Sequence, residues 1–225
     1  TGGGDILSEF FFNVLSHFKT LSPQNGEAEG LRPFDVRGNG TVVGEGAGIV
    51  CLESLDGALA RGAIPYCEIV GWGQSAAPTV AGGWPTETDG PCLAVNRALA
   101  AAGIAADEIN YICASANGGP RLDRLEADAL RQIFPQTGGR PWITALKGAL
   151  GESLSAGGTR ATAMALALNH QRLAPIVGLH QPIADLNFVR SANARAPIHY
   201  GLLNTISSGG TFVAGVCRSP GQRAN

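Results

Sequence analysis

Residues 111–128 read YICASANGGPRLDRLEAD: a short apolar run, a turn of small residues, then a helix start rich in Asp, Arg and Glu. That is the layout of an active-site loop carried by an α/β scaffold. Yet Ser115, Asn117, Gly118 and Gly119 include no ready acid or base. The other chemically capable residues are scattered. His17, His170, His180 and His199 lie far apart without metal spacing, so their ordinary reading is as helix-surface or loop histidines. Cys51, Cys67, Cys92, Cys113 and Cys217 show no CxxC or Cys/His pattern, and most sit in apolar strand-like runs. They are expected to be buried free thiols in a reducing cytosol, and neither a metal nor a cofactor is expected. Thr1 raises a different chemistry, an N-terminal nucleophile whose own amine activates the hydroxyl.

The totals narrow the function classes. A net charge of −2 with no Lys/Arg cluster argues against nucleic acid, which is bound through a basic surface. The sequence has neither a run of eighteen or more apolar residues nor the basic and apolar start of an export signal, so no membrane partner is expected and the cytoplasm is the expected compartment. A chain of 225 residues, 44% hydrophobic, can bury a real core. Its 32 glycines, roughly twice the average share of about 7%, are spread among apolar runs, which points to close packing. Disorder is expected only in the tail SPGQRAN, residues 219–225.

These residues need a scaffold, and the pattern supplies one. Residues 6–18 read as a helix or a loop and helix with an aromatic face, 22–30 as a polar loop, and TVVGEGAGIVCLE as a strand pair. Gly44, Gly46 and Gly48 fall on one face there, which suggests tight sheet–helix packing. A phosphate cradle is disfavoured, because no helix begins directly after them. From 53 a helix runs to Gly62, and a strand follows over 65–76. Then come a helix at 90–103, a strand at 111–115, a helix at 122–134, a strand at 142–146 and a long apolar helix at 153–171, read as buried and central. Its start would be capped by Glu152 and Ser153. Two last strands, HYGLLNTIS and GTFVAGVCR, are joined by SGG. The alternation predicts a mostly parallel, doubly covered sheet with this hairpin adding antiparallel edge strands.

RPFDVRGNGTVVGEGAGIVCLESLDGALARGAIPYCEIVGWG resembles the segment RPFDxxRDGFVxGEGAGxxxLExxxxAxxRGAxxYxExxGxG of the β-ketoacyl-acyl-carrier-protein synthases. ALAAAGIAADEINYI, LDRLEADALRQIF and TALKGALGESLSAGG are similar to their ALxxAGIxxxxIxYV, DxxExxAxxxxF and SxKxxxGHxxxAAG, and TGGGD to their AGGxE. The resemblance implies an α/β, thiolase-like αβαβα layered sandwich, present as the end of the first half (1–62) and the complete second half (63–225). It also implies that the segment bearing the nucleophilic cysteine is not among these residues, and that the chain does not persist alone.

In that family a cysteine takes the acyl chain and two histidines support decarboxylation and the enolate. Here CASANGGPRLD is similar to the family's NAHGTxTxxxD and puts Ser115 at the first histidine; GESLSAGG is similar to GHxxxAAG and puts Glu152 at the second. Serine is a poor general base, and Glu152 would bring negative charge to where an anion develops. Lys147 and Glu126 match a family lysine and its carboxylate partner, a charged pair that is either structural or supports the site. The gating loop NSFGFGGTN becomes NTISSGGTF, with Asn204, Gly209, Gly210 and Thr211 kept and Ile206 and Ser208 replacing two phenylalanines.

Loss of both histidines on a kept scaffold resembles the chain-length factors of polyketide systems. The partners so implied are an active ketosynthase subunit or a separate N-terminal half, acyl carrier protein and an acyl or polyketide chain. The alternative is an active acyltransferase whose cysteine lies on a separate N-terminal piece, with Lys147, Ser115 and Asn204 serving for the histidines.

Overall fold

The computed structural model describes residues 1–221 except 25, 81, 135–139 and 156. Local signals place most element ends. α1 (Glu9–His17) begins where the Ser8 hydroxyl accepts the Phe11 N–H, and α2 (Leu55–Ala60) where Ser54 accepts that of Gly57, each filling a donor that a helix start leaves open. α3 (Asp89–Ala102) ends at Gly103, whose φ of 68° is left-handed, and α4 (Pro120–Ile133) has its proline in the first turn. α5 (Lys147–Leu150) is a single turn, and α6 (Gly157–His170) is the helix expected from 153.

Strands β1 (Gly2–Asp5) and β2 (Gly46–Ile49) make an antiparallel two-stranded sheet. The strand pair expected within 41–53 is therefore one strand. Val43 bridges instead to Glu152, so the chain is drawn across to another loop before β2 meets β1. The glycine row packs as expected at two of its three positions. A Cβ on Gly44 would lie 2.2 Å from the Leu150 carbonyl oxygen and one on Gly48 2.2 Å from the Thr159 nitrogen, while Gly46 faces open space.

The second sheet holds β3 (Glu68–Ala76), β4 (Ile109–Cys113), β5 (Trp142–Thr144), β6 (Tyr200–Ser207) and β7 (Thr211–Arg218) in the order β3-β7-β6-β4-β5. β6 pairs parallel with β4, and β4 parallel with β5; β7 is antiparallel to both β6 and β3. The hairpin strands are thus interior, and the sheet is evenly mixed rather than mostly parallel. The physical reason lies in their side chains: Leu202, Ile206, Phe212, Ala214 and Val216 are buried on one face and Cys217 on the other, which suits strands flanked on both sides.

Alternate residues divide the core. Ile112, Leu202, Ala214 and Val216 pack toward α3 and α4, while Tyr111, Cys113, Leu203 and Cys217 join Met164 and Leu168 of α6. α6 lies between the two sheets, against β1 and β2 on one side and β6 and β7 on the other. It is less enclosed than its composition suggests: Arg160, Met164, Ala167 and Leu168 are buried, but Leu166 is 40% exposed. Cys51 is likewise exposed, in contrast to the buried Cys92, Cys113 and Cys217. Ser219, assigned above to a disordered tail, is buried and bonded to His199 and Leu168; 222–225 lie outside the described residues. No helix among the described residues is long and apolar enough to cross a membrane.

Candidate functional site

β4 ends at Cys113, and the chain turns through Ala114–Gly119 into α4 beside the ends of β5 and β6. The turn is organised by two buried carboxylates of α4. Glu126, wholly buried, accepts the Ser115 N–H on both oxygens at 2.8 and 2.9 Å and the Asn204 amide at 2.6 Å. Asp123 accepts the backbone N–H groups of Phe34 (2.7 Å), Asn117 (2.9 Å) and Gly118 (3.2 Å). Placing both acids on the inner side of one helix is a matter of their i, i+3 spacing. Gly118, at φ 80°, lets the loop pass Gly40, whose oxygen would lie 2.8 Å from any Cβ.

Ser115 is buried and committed to β6: its hydroxyl accepts the Ile206 N–H at 3.1 Å and lies 3.4 Å from the Ile206 oxygen. Glu152 accepts Lys147 Nζ at 2.8 Å and Asn117 Nδ2 at 2.7 Å, with side-chain exposures of 11% for Lys147 and 8% for Glu152. The expected pairing of Lys147 with Glu126 is therefore corrected. The short α5 turn holds the lysine beside Glu152, and it acts on Glu126 through charge alone. Nor does Glu152 cap α6, which starts at Gly157; its backbone is tied to Val42 and Gly44.

Burial drives the electrostatics. Desolvation pushes the Asp123 carboxyl up to about 7 against its three N–H donors. It also raises Glu126, opposed by the Ser115 N–H, Asn204 and the charges of Arg160 and Lys147. Cys113, the thiol of this region, is fully buried and likewise raised, which makes it a poor nucleophile.

Asn204 and Ile206 belong to β6 and are buried in the site, but Ser208, Gly209 and Thr211 form the exposed tip of the hairpin. Gly209 and Gly210 have φ of 91° and 83°, and Gly210 packs onto the Ala77 oxygen, so the kept GGT makes a tight turn held to the end of β3. His17, His170 and His180 are exposed and His199 is half-buried; none joins the buried cluster. The Thr1 ammonium donates to Val50, prolonging the β1–β2 ladder.

Two members were missed in the sequence. Asp123 stood in the RLD string without being singled out. Arg160, 7% exposed, donates to the carbonyls of Cys113, Ala114 and Asn204 at the strand ends. Its signal was available: it is a lone charge in GGTRATAMALAL. Among the described residues its Nε and the Asn204 Oδ1 have no partner.

The cluster can hold charge and bind backbone, but among the described residues it contains no imidazole, and its thiol, Cys113, is buried. The family described as Beta-ketoacyl synthase, C-terminal domain matches residues 66–180, and Beta-ketoacyl synthase, N-terminal domain, matches 1–58. The chain belongs to the β-ketoacyl synthase family. It is 33% identical over 216 residues to the mitochondrial 3-oxoacyl-[acyl-carrier-protein] synthase of Arabidopsis thaliana, covering 92% of this chain and 46% of that protein. It is 35% identical over 194 residues to the putative polyketide beta-ketoacyl synthase 1 of Streptomyces halstedii, covering 84% and 46%. The ishigamide ketosynthase/chain length factor structure superposes with a TM-score of 0.85 at 28% identity, over 97% of this chain and 53% of that one. The chain thus spans about half the length of these relatives, and its fold is the thiolase-like, layered α/β fold of ketosynthases.

Proposed function

We propose that the chain is a ketosynthase-like subunit of chain-length-factor type in fatty-acid or polyketide assembly, and that it does not itself carry out condensation. It works beside an active ketosynthase subunit and an acyl carrier protein, and contributes dimer contacts and a wall of the acyl tunnel. The single observation that carries this reading is the Lys147–Glu152–Asn117 linkage at the position of the family's second histidine. A carboxylate there repels a developing enolate, and its lysine is already neutralised by it. Ser115, at the first histidine's position, is spent on the Ile206 backbone.

Acyl loading tests the proposal. The chain is co-purified with its partner, supplied with acyl-carrier thioester, and weighed by intact mass. The acyl group is expected on the partner alone. Acyl mass on this chain, or on a polypeptide continuous with it, overturns the reading in favour of an active acyltransferase.

A further inference from the structure

β3 is an edge of the five-stranded sheet, with β7 on its inner side. The Ala77 N–H donates to the Gly210 oxygen at the hairpin, so by the alternation of an antiparallel pair Ser75 and Gly73 also turn their backbone groups toward β7. The N–H and C=O groups of Trp72, Gln74 and Ala76 therefore point outward. Among the described residues one partner reaches them: Arg97 of α3 donates from Nη1 to the Gln74 oxygen at 2.6 Å. Arg97 is itself exposed and makes no ion pair among those residues. Residues 72–76 and Arg97 line an open groove of about 520 Å³ along this edge. The usual defences of a sheet edge are missing there: GWGQSA holds no lysine, proline or charge, and the bulge of β3 lies earlier, between Ile69 and Gly71.

We propose that this edge is a strand-addition site for an extended, acidic segment of a partner protein. Paired antiparallel, the segment exchanges backbone hydrogen bonds with Trp72, Gln74 and Ala76, and the Gln74 oxygen has a second lone pair for it beside Arg97. Its side chains alternate between the two faces of the sheet. Those opposite Trp72, Gln74 and Ala76 lie on the face where Trp72 is 65% exposed, and an aliphatic residue there covers the indole. Those between lie on the α3 face. A Cβ on Gly73 would be 2.7 Å from the Arg97 Cβ, so a carboxylate at such a position meets the Arg97 guanidinium. A second copy of β3 fits worse. Paired antiparallel about Gln74, it would bring both Arg97 guanidinia to the same place, like charge against like.

The probe is a fluorescein-labelled peptide, Ser-Val-Glu-Val-Thr-Val-Ser, titrated by anisotropy into the chain with whatever co-purifies, beside a form with lysine for its glutamate. Saturable binding of the acidic form is expected, with slowed amide hydrogen exchange at Trp72, Gln74 and Ala76, and the lysine form is expected to bind about ten- to a hundredfold more weakly. Arg97→Glu is expected to invert that preference. Gln74→Pro removes only an outward N–H, which an edge strand tolerates, and is expected to abolish binding of both peptides. Binding that survives Gln74→Pro, or no binding of the acidic form, overturns the proposal. So does self-association of the chain that Gln74→Pro abolishes, which assigns the edge to a second copy. If Gln74→Pro fails to fold, the charge exchange between Arg97→Glu and the two peptides decides.

Discussion

Only 8% of the Glu152 side chain meets solvent, and Lys147 Nζ pairs with it at 2.8 Å. Removing one partner of a buried pair leaves an uncompensated charge, so Lys147→Met is expected to cost about 3–5 kcal/mol in urea unfolding. Adding Glu152→Leu is expected to restore most of that; a double variant as unstable as the single one refutes the pairing argument. Asp123 offers a second test. Its folded pKa is raised from 3.8 to about 7, so its contribution to stability is full below about 4 and is lost as pH rises through about 7. An NMR titration of its carboxyl carbon is expected to give a midpoint near 7, and one below 4 defeats the claim. The sequence located Ser115, Glu126, Lys147 and Glu152 because motif spacing survives replacement of the residue within it. It misassigned the partner of Lys147, because ion pairing depends on where the α5 turn sits in space.

Among elements, β2 and α6 approach each other closely. A Cβ on Gly48 would meet Thr159 backbone, which cannot rotate away, so Gly48→Ala is expected to cost about 1–3 kcal/mol or more. Gly46→Ala, facing open space two residues earlier, is expected to change the melting temperature little, and equal effects from the two would refute the packing assignment. Helices and strands were legible within a few residues because apolar period and turn residues are local signals. Strand order was not. β7 pairs with its hairpin partner and with β3, and nothing near Thr211–Arg218 in sequence identifies the second neighbour.

The molecule as a whole exposes more than its mass requires. Its surface is 11400 Å², against about 9,700 Å² for a compact monomer of this mass. Trp72, Ile69 and Val213 are 65%, 55% and 38% exposed on β3 and β7, and Phe10 of α1 is 79% exposed. The isolated chain is therefore expected to self-associate on size exclusion with light scattering; a monodisperse, cooperatively melting monomer refutes this. Burial of this kind was legible only through the family resemblance, since apolar residues alone do not say which face lacks a cover. The β3–β7 pairing also sets a timetable. A ribosome releases β3 long before β7, and at about 5–20 residues per second the interval is on the order of ten seconds. Throughout it the first strand of the sheet can pack on α3 but lacks β7, its ladder partner. The nascent chain thus carries β3 with an open ladder edge toward β7 until nearly its last described residues emerge.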